Sequence, residues 1–389
     1  MVSKETNLNS SYDSEEYGIY FHLPFCIQIC RYCDFNRYLR KDFSKDVLLD
    51  YHKSLLKELL HFLNGCRRKR ASTIYFGGGT PSLYPVRMIA ELISVIRENS
   101  LLDDDAEITM EVDPKTIRLH SLENLRKSGV NRLSVGAQSF NNDILKTLGR
   151  YHRRDDIFKC INDTVKAGFL NISLDLIYGV PKQSIEIVNG DLEIIKSLPL
   201  THISLYNLTL ARGTDFFKKR EALSFPSEVI ELELYSIIKK QLRQTGFKHY
   251  EISNFSKYGF ASKHNLNCWN LIQYKGIGAG AHSFLNGTRY ANTKNIYKYI
   301  SNLKTKSNSR VFTHKLSLIE KKREFVMLAL RKSSGFLREE YKKRFLSDVQ
   351  IDFPDLFVIE LKPFLSQSKR IRLKAKGINI SNEIFLRLF

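Results

Sequence analysis

Long apolar runs are missing from this sequence. None of its 389 residues lies in a stretch that approaches the roughly 18 consecutive apolar residues of a membrane-spanning helix. Residues 1–16 are polar and acidic, which argues against both a secretory signal and a basic organellar transit peptide. We therefore expect a cytoplasmic, globular protein, and its 43% of hydrophobic residues is enough for a substantial core.

Cysteine is also scarce, and its distribution argues against a disulfide framework. Six cysteines occur, at positions 26, 30, 33, 66, 160 and 268. A tight group of three thiols in a cytoplasmic protein indicates a metal or a metal cluster, whereas the isolated Cys66 and Cys160 are expected to be ordinary buried side chains. The metal chemistry should therefore concentrate between Cys26 and Cys33.

Acidic residues are outnumbered, since 61 Lys and Arg against 41 Asp and Glu give a formal net charge of +20. Such a charge suits an anionic partner. However, the positive residues are dispersed, and short runs such as Arg67–Arg70 are not interleaved with aromatic residues as a nucleic-acid groove would be. We expect solvated helix faces and no nucleic-acid partner, while an acidic small ligand is compatible with either interpretation.

Residues 17–225 alternate short β-rich runs with longer amphipathic stretches, which predicts an α/β fold with a parallel sheet, either open or closed into a barrel. Polar and glycine-containing segments follow the strands, where both architectures build their ligand sites. The predicted strands are Gly18–Leu23, Ser72–Phe76, Glu107–Val112, Arg132–Ala137, Asn171–Ile177 and Thr201–Leu208. The predicted helices are Val47–Leu63, Val86–Asn99, Leu119–Ser128, Asn141–Leu148, Asp155–Ala167 and Ser184–Ser197.

The pattern changes after about residue 225. A helix is predicted over Ser227–Gln244, followed by a glycine-rich segment, Gly276–Gly280, and by further helices over Leu318–Arg331 and Arg338–Phe345. We expect a polar tail over 1–16, the sheet or barrel over 17–225, a connecting region over 226–310 and a smaller, mainly helical, winged-helix-like domain over 311–389.

The cysteine motif directly follows the first predicted strand. Cys26, Cys30 and Cys33 form a C-x3-C-x2-C array, which can hold three corners of an iron-sulfur cubane and leave one iron open to a further ligand. A structural zinc site requires four protein ligands and uses paired C-x2-C spacings. His22 could supply a fourth ligand, or it could have a packing role near the end of the strand.

This spacing, with the aromatic Tyr32 before the last cysteine, resembles the radical S-adenosylmethionine (SAM) superfamily. The resemblance implies a partial (β/α)6 barrel, a [4Fe-4S] cluster on the three thiols and SAM on the fourth iron. Gly77–Pro81 then matches the glycine motif that receives the methionyl ammonium, and polar residues at later strand ends match positions that bind the rest of SAM. The resemblance assigns SAM contacts to Tyr20, Tyr32, Gly78, Gly79, Thr80, Glu111, Gln138, Arg150 and Asp175.

Longer motifs narrow the resemblance to one group within that superfamily. They look like the group containing oxygen-independent coproporphyrinogen III dehydrogenase and the HemW-type haem chaperones, and they lie at Ile74–Ser82, Gly129–Phe140, Asp175–Pro181 and Gly276–Ser283. The dehydrogenase has a further cysteine two residues after the third and a longer N-terminal extension. Here Phe35 takes the place of that cysteine, and the cluster loop begins only about twenty-five residues into the chain. Both features indicate the chaperone branch.

The chaperone branch carries an HNxxYW motif associated with haem binding, which His264–Trp269 resembles. The resemblance implies haem contacts by His264 and Trp269, although Cys268 stands where tyrosine is expected. We therefore predict a haem chaperone that carries a [4Fe-4S] cluster and SAM and transfers haem to an acceptor protein, with acceptor and electron donor unidentified. The alternatives are a coproporphyrinogen III dehydrogenase and a radical SAM enzyme that modifies RNA.

Overall fold

The computed structural model describes residues 16–65 and 70–389. The predicted tail up to residue 15, Cys66 and most of the Arg67–Arg70 run lie outside the described residues. Within the described residues, no helix is long and apolar enough to cross a membrane.

Strands and helices alternate through the first half of the chain, as the sequence predicts. The strands are β1 (Glu16–Leu23), β2 (Phe25–Cys26), β3 (Tyr38–Leu39), β4 (Arg70–Gly78), β5 (Leu101–Val112), β6 (Arg132–Gln138), β7 (Asn171–Tyr178) and β8 (His202–Asn207). The helices are α1 (Lys45–Asn64), α2 (Val86–Asn99), α3 (Leu119–Ser128), α4 (Asn142–Leu148), α5 (Arg154–Lys166), α6 (Ile185–Ser197) and α7 (Asp215–Lys218).

The second half contributes more strands than the sequence pattern suggests. Its elements up to residue 315 are α8 (Glu228–Gln244), β9 (Lys248–Glu251), β10 (Asn254–Ser256), α9 (Lys263–Trp269), β11 (Gln273–Ile277), β12 (His282–Leu285), β13 (Thr288–Asn292), α10 (Ile296–Thr305) and β14 (Arg310–Lys315). The remaining elements are α11 (Leu318–Arg331), β15 (Phe336–Leu337), α12 (Arg338–Phe345), α13 (Val349–Asp352), β16 (Leu365–Gln367), β17 (Arg370–Leu373), α14 (Ala375–Asn379) and α15 (Ser381–Leu386).

Twelve strands form one sheet in the order β14-β13-β12-β11-β1-β4-β5-β6-β7-β8-β10-β9. The six predicted strands are parallel, and β11 adds a seventh parallel strand beside β1. The strands outside this parallel core pair in antiparallel fashion. Because parallel strands end at the same edge of the sheet, the polar segments after them are brought together there.

Apolar side chains alternate along the strands and recur with helical periodicity along the helices. The core therefore lies between the sheet and the helices. In β5 the apolar Ile108, Met110 and Val112 face the helices, while Glu107 and Glu111 face the inside of the barrel. Helix α1 begins at Ser44, whose hydroxyl accepts a hydrogen bond from the Val47 amide. Its buried side chains include Leu48, Leu55 and Leu59, and each fully buried leucine stabilises the fold by about 2 kcal/mol.

The C-terminal part has a core of its own, built around Phe325, Phe336, Tyr341 and Phe345. Three short strands form a separate sheet in the order β15-β17-β16, and the helices α11 to α15 surround it. This agrees with the smaller, mainly helical C-terminal domain that the sequence predicted, and the structure adds the three-stranded sheet. The exact domain boundaries remain a proposal, and β14 crosses the one placed between residues 310 and 311.

Candidate functional site

The cysteine loop lies at the carboxyl end of β1. It leaves β1 through β2, which contains Cys26, and returns through β3, which pairs with β2 in parallel. The Gln28 side-chain amide donates to the Gly149 carbonyl at 2.7 Å, and this bond ties the loop to the end of α4. The Cys33 amide donates to the Cys30 carbonyl at 3.2 Å. This turn brings the second and third thiols to the same side of the loop, where all three cysteines line one cavity.

The glycine-rich loop after β4 packs directly against the cysteine loop. The Gly79 amide donates to the Leu23 carbonyl at 3.0 Å, and the Thr80 amide donates to the Phe25 carbonyl at 2.9 Å. A Cβ atom at Gly79 would lie 2.9 Å from the Cys26 sulfur, so any larger residue would push the two loops apart. The glycine is therefore required for the approach of the loop that the sequence assigned to SAM.

Two half-buried carboxylates project into the same cavity, Glu111 from β5 and Asp175 from β7, on either side of β6. The Glu111 carboxylate accepts hydrogen bonds from the Tyr75 hydroxyl at 3.0 Å and from the Gly78 amide at 3.2 Å. Burial, followed by the nearby Asp175 charge, raises the pKa of Glu111 to about 7. Burial also raises the pKa of Asp175, whose carboxylate accepts from the Ser134 hydroxyl at 3.0 Å. Within the part of the chain that the structure describes, neither carboxylate has a cationic side chain within ion-pair distance, so a cationic ligand would be favoured beside them.

Arg150 provides a positive charge in the same cavity. One guanidinium nitrogen, Nη1, lies 3.4 Å from both the Cys30 sulfur and the Tyr32 hydroxyl. The other, Nη2, donates to the Asp113 carboxylate at 2.7 Å and to the Gly136 carbonyl at 2.9 Å. Arg150 is thus fixed by Asp113 and presents its remaining edge to the thiol side of the cavity.

The backbone is strained beside this arginine. Gln138 ends β6 with φ at 68°, in the left-handed region that residues other than glycine rarely adopt. A Cβ atom at Gly136 would lie 3.1 Å from the Gln138 side-chain nitrogen and 3.4 Å from Arg150 Nη2. The small residue leaves room for the amide and the guanidinium to lie side by side at the end of the strand.

The cavity encloses about 330 Å³. It brings together the three cysteines and all but one of the residues that the resemblance assigned to SAM, namely Tyr32, Gly78, Gly79, Thr80, Glu111, Gln138, Arg150 and Asp175. Tyr20 is the exception. Its hydroxyl bonds to His22 Nδ1 at 3.0 Å and its ring stacks on Tyr75, so it supports the cavity wall from behind.

His22 has both ring nitrogens engaged by the protein. Nδ1 contacts the Tyr20 hydroxyl, and Nε2 contacts the Asn36 carbonyl at 2.8 Å. This arrangement favours the packing role over the role of a fourth metal ligand. No histidine of the described chain lines the cavity, and none of its His, Cys, Asp and Glu side chains form a group of three that could hold a single metal ion.

Sequence reasoning missed several residues of the site. Asp113 and Arg37 line the cavity, and the buried His152 contacts both Asp113 and the Ala137 carbonyl. Asp113 directly follows β5, so the strand-end argument that selected Glu111 could have found it too. Arg37 lies within the returning cysteine loop, and no local pattern distinguishes it from a surface arginine.

The two residues that the resemblance assigned to haem contact lie on α9, at the amino ends of the barrel strands. His264 is buried, and its Nδ1 is 2.8 Å from the Thr73 hydroxyl. Burial lowers the pKa of His264 to about 4, so its imidazole is neutral at physiological pH. A Cβ atom at Gly18 would lie 2.8 Å from the Thr73 hydroxyl oxygen and 3.4 Å from the His264 ring, so glycine provides the space that the imidazole occupies.

Trp269 and Cys268 have different surroundings from His264. The Arg331 guanidinium of α11 lies 4.4 Å from the centre of the Trp269 ring, which packs on the C-terminal core. Burial raises the pKa of the Cys268 thiol to about 11, so it is protonated at neutral pH. The structure therefore does not bring His264 and Trp269 together on one surface, and neither residue lines the cavity of the three cysteines.

Known proteins resemble this chain at three levels. A family model described as the Radical SAM superfamily matches residues 20–194. The heme chaperone HemW of Lactococcus lactis is 36% identical over 376 residues, which cover 94% of this chain and 95% of that protein. HemW of Bacillus subtilis is 33% identical over 373 residues, which cover 94% of this chain and 97% of that relative.

The fold has a solved counterpart as well. Coproporphyrinogen III oxidase (HemN) from Escherichia coli, a radical SAM enzyme, matches with a TM-score of 0.84 at 23% identity, covering 98% of this chain and 92% of that chain. The likeness confirms the predicted radical SAM barrel with its C-terminal domain. Because identity to the HemW proteins exceeds 30% over nearly the full length of both chains, the chain belongs to the HemW family of the radical SAM superfamily.

Proposed function

We propose that the cavity holds a [4Fe-4S] cluster on Cys26, Cys30 and Cys33, with SAM on the fourth iron. The observation that carries this proposal is the convergence of three thiols, a glycine loop, two carboxylates and one arginine on a single cavity. Three thiols without a histidine beside them suit a cluster with one open iron better than a four-ligand zinc site. When bound, the cluster and SAM supply one-electron chemistry.

The residues around the thiols would orient SAM by charge. Glu111 and Asp175 suit the ammonium and the ribose hydroxyls, because carboxylates accept hydrogen bonds from both. Arg150 suits the SAM carboxylate, since Asp113 and the Gly136 carbonyl hold Nη2 while Nη1 faces the thiols. The backbone of Gly78 and Gly79 approaches without Cβ atoms, which leaves room for the methionyl group.

We further propose that the protein binds haem and delivers it to an acceptor protein. The support is similarity along the whole chain to relatives named as haem chaperones. Acceptor and electron donor remain to be identified. The assignment of haem contacts to His264 and Trp269 stays a prediction, and haem contact by His264 would require its imidazole to leave the buried position beside Thr73.

Haem titration tests the chaperone proposal. Adding haemin to the anaerobically reconstituted protein should shift the Soret band and saturate near one haem per chain, and adding an apo-globin should then move the band to that of the globin. An unchanged Soret band would contradict the proposal. If His264 is a haem ligand, His264→Ala should weaken the shift, and His120→Ala, at an exposed histidine of α3, serves as the control.

The dehydrogenase alternative has a specific position to test. Phe35, which stands where the dehydrogenase has a further cysteine, is 64% exposed at the rim of the cavity. An anaerobic assay with coproporphyrinogen III, SAM and a reductant should therefore give no protoporphyrinogen. Formation of that product would favour the enzyme over the chaperone.

A further inference from the structure

Strand β14 forms one end of the large sheet and has a neighbour on only one side among the described residues. It pairs with β13 in antiparallel register, Thr288 with Lys315 and Tyr290 with Thr313. All six of its residues are exposed, including Val311 and Phe312, which expose 59% and 51% of their surface. Edge strands in stable proteins are normally short, covered or twisted away, because their free backbone groups pair readily with other chains.

The hydrogen-bonding groups of β14 that point away from the sheet can be assigned from the ladder. The Leu316 amide donates to the Gly287 carbonyl at 3.0 Å. Since amides alternate in direction along a strand, His314 also faces β13, whereas Thr313 and Lys315 direct their N–H and C=O groups outward. An extended peptide placed beside β14 could form backbone hydrogen bonds with these two residues.

The chain around β14 carries positive charges and no negative ones. Residues 293–319 contain no Asp or Glu and six cationic residues, Lys294, Lys298, Lys304, Lys306, Arg310 and Lys315. Lys304 is paired with Asp50 of α1, and the next acidic residue along the chain, Glu320, is already engaged by His314 at 2.8 Å. The edge therefore favours a partner that carries negative charge.

A second copy of this chain is a poor occupant of the edge. In an antiparallel pair of two β14 strands the outward-facing residues would lie opposite one another, for example Thr313 opposite Thr313 and Val311 opposite Lys315. Each strand carries Arg310 and Lys315 and no carboxylate, so the pair would bring four cations together without a counterion on either strand. A single-stranded RNA would satisfy the charges but would leave the outward backbone groups of Thr313 and Lys315 without the ladder that a peptide provides.

We propose that the free edge of β14 binds an extended, acidic segment of a partner protein, which adds to the sheet as a further antiparallel or parallel strand. The backbone ladder would give affinity, and the basic residues around it would select negative charge. This site is separate from the cavity of the three cysteines, so the proposal does not depend on haem or SAM.

The probe is a short fluorescein-labelled peptide that alternates Glu with Val and Thr, measured by fluorescence anisotropy on the full chain. We expect saturable binding that weakens as salt is added. A peptide with Lys in place of Glu, and the acidic peptide with N-methylated backbone, should each bind at least tenfold more weakly. Equal binding of the N-methylated peptide would overturn the proposal, because it has lost the ladder and kept the charge.

Substitutions at the edge test the same point from the protein side. Thr313→Pro removes an outward N–H and should weaken the acidic peptide at least tenfold, whereas Thr313→Val keeps that N–H and should bind like the wild type. Lys315→Glu should also weaken it. If circular dichroism shows that Thr313→Pro does not fold, the binding of the N-methylated peptide to the wild-type protein tests the proposal instead.

Two other occupants would contradict the proposal. Single-stranded RNA that binds as tightly as the acidic peptide, with no change in Thr313→Pro, would identify a basic nucleic-acid surface instead. A dimer in light scattering that Thr313→Pro dissociates would identify a second copy of the chain as the occupant.

Discussion

Glu107 and Glu111 lie four residues apart on the same strand and face the same interior, yet their surroundings differ. At the amino end, the Glu107 carboxylate accepts from the Ser262 hydroxyl and from the Lys263 and His264 amides, at 2.9 to 3.2 Å. At the carboxyl end, Glu111 accepts from one hydroxyl and one amide among residues 16–65 and 70–389.

The two carboxylates also differ in the sign of the charge that acts on them. Arg132, which is 2% exposed, lies 4.0 Å from Glu107, so the amino end of the barrel contains its own counterion. The pKa of Glu111 is instead raised, first by burial and then by the like charge of Asp175. At the amino end of the barrel, Glu107 is therefore paired with Arg132. At the carboxyl end, Glu111 has no such counterion among the described residues.

The largest effect is expected where the open end meets the thiols. Cys30→Ala should abolish the cluster, because two thiols cannot hold three corners of a cubane. Iron and sulfide assays after anaerobic reconstitution, with visible absorption, measure this. Cys160→Ala is the matched control, since Cys160 is buried in α5 far along the chain and should leave the iron content unchanged. Full iron content in Cys30→Ala would contradict the assignment.

The two carboxylates can be compared by the same substitution. Glu107→Gln should destabilise the fold by about 3 kcal/mol, because it leaves Arg132 buried without its counterion. Glu111→Gln should not lower the free energy of unfolding and should instead weaken SAM binding. Urea unfolding measures the first effect and equilibrium SAM binding the second. Equal destabilisation by both variants would contradict the distinction between the two ends.

In the absence of ligand, the free energy of unfolding should depend on pH differently in wild type and in Glu111→Gln. Because the folded-state pKa of Glu111 is raised from 4.5 to about 7, the protonated carboxyl is favoured in the fold, and its contribution to stability is lost as pH rises through this range. Wild type should therefore lose stability relative to the variant between pH 5 and about 8. SAM affinity should rise over the same range, since the ionised carboxylate binds the ammonium. A pH-independent difference would contradict this.

The smallest effect concerns the contact that holds His264 in the barrel. Thr73→Val keeps the shape and removes the hydroxyl that bonds to His264 Nδ1, so we expect a loss of about 1 kcal/mol in the free energy of unfolding. Thr109→Val, at a buried threonine on the same interior face, is the control for the substitution itself. A loss no larger than that of the control would show that the contact contributes nothing.

The sequence predicted the open end of the barrel better than the closed end. The thiols and the glycine loop follow predicted strands, and Glu111 lies near the end of one. Each strand is recognisable from the hydrophobic pattern of its own residues, so the position of these groups at one edge of the sheet could be inferred. The bond from Ser262 to Glu107 joins residues 155 positions apart, and no local pattern encodes it. Strand β11 was missed because Gly276 near its end and Gly278 directly after it resemble a loop. Gly278 provides the space for the Tyr51 hydroxyl and the His22 carbonyl.

The most direct test of the open end is electron paramagnetic resonance of the anaerobically reconstituted, reduced protein before and after addition of SAM. We predict about four irons per chain and a cluster signal whose g values change when SAM is added. Protein that retains no iron, or a cluster signal that SAM leaves unchanged, would contradict the assignment of the three cysteines and the surrounding cavity.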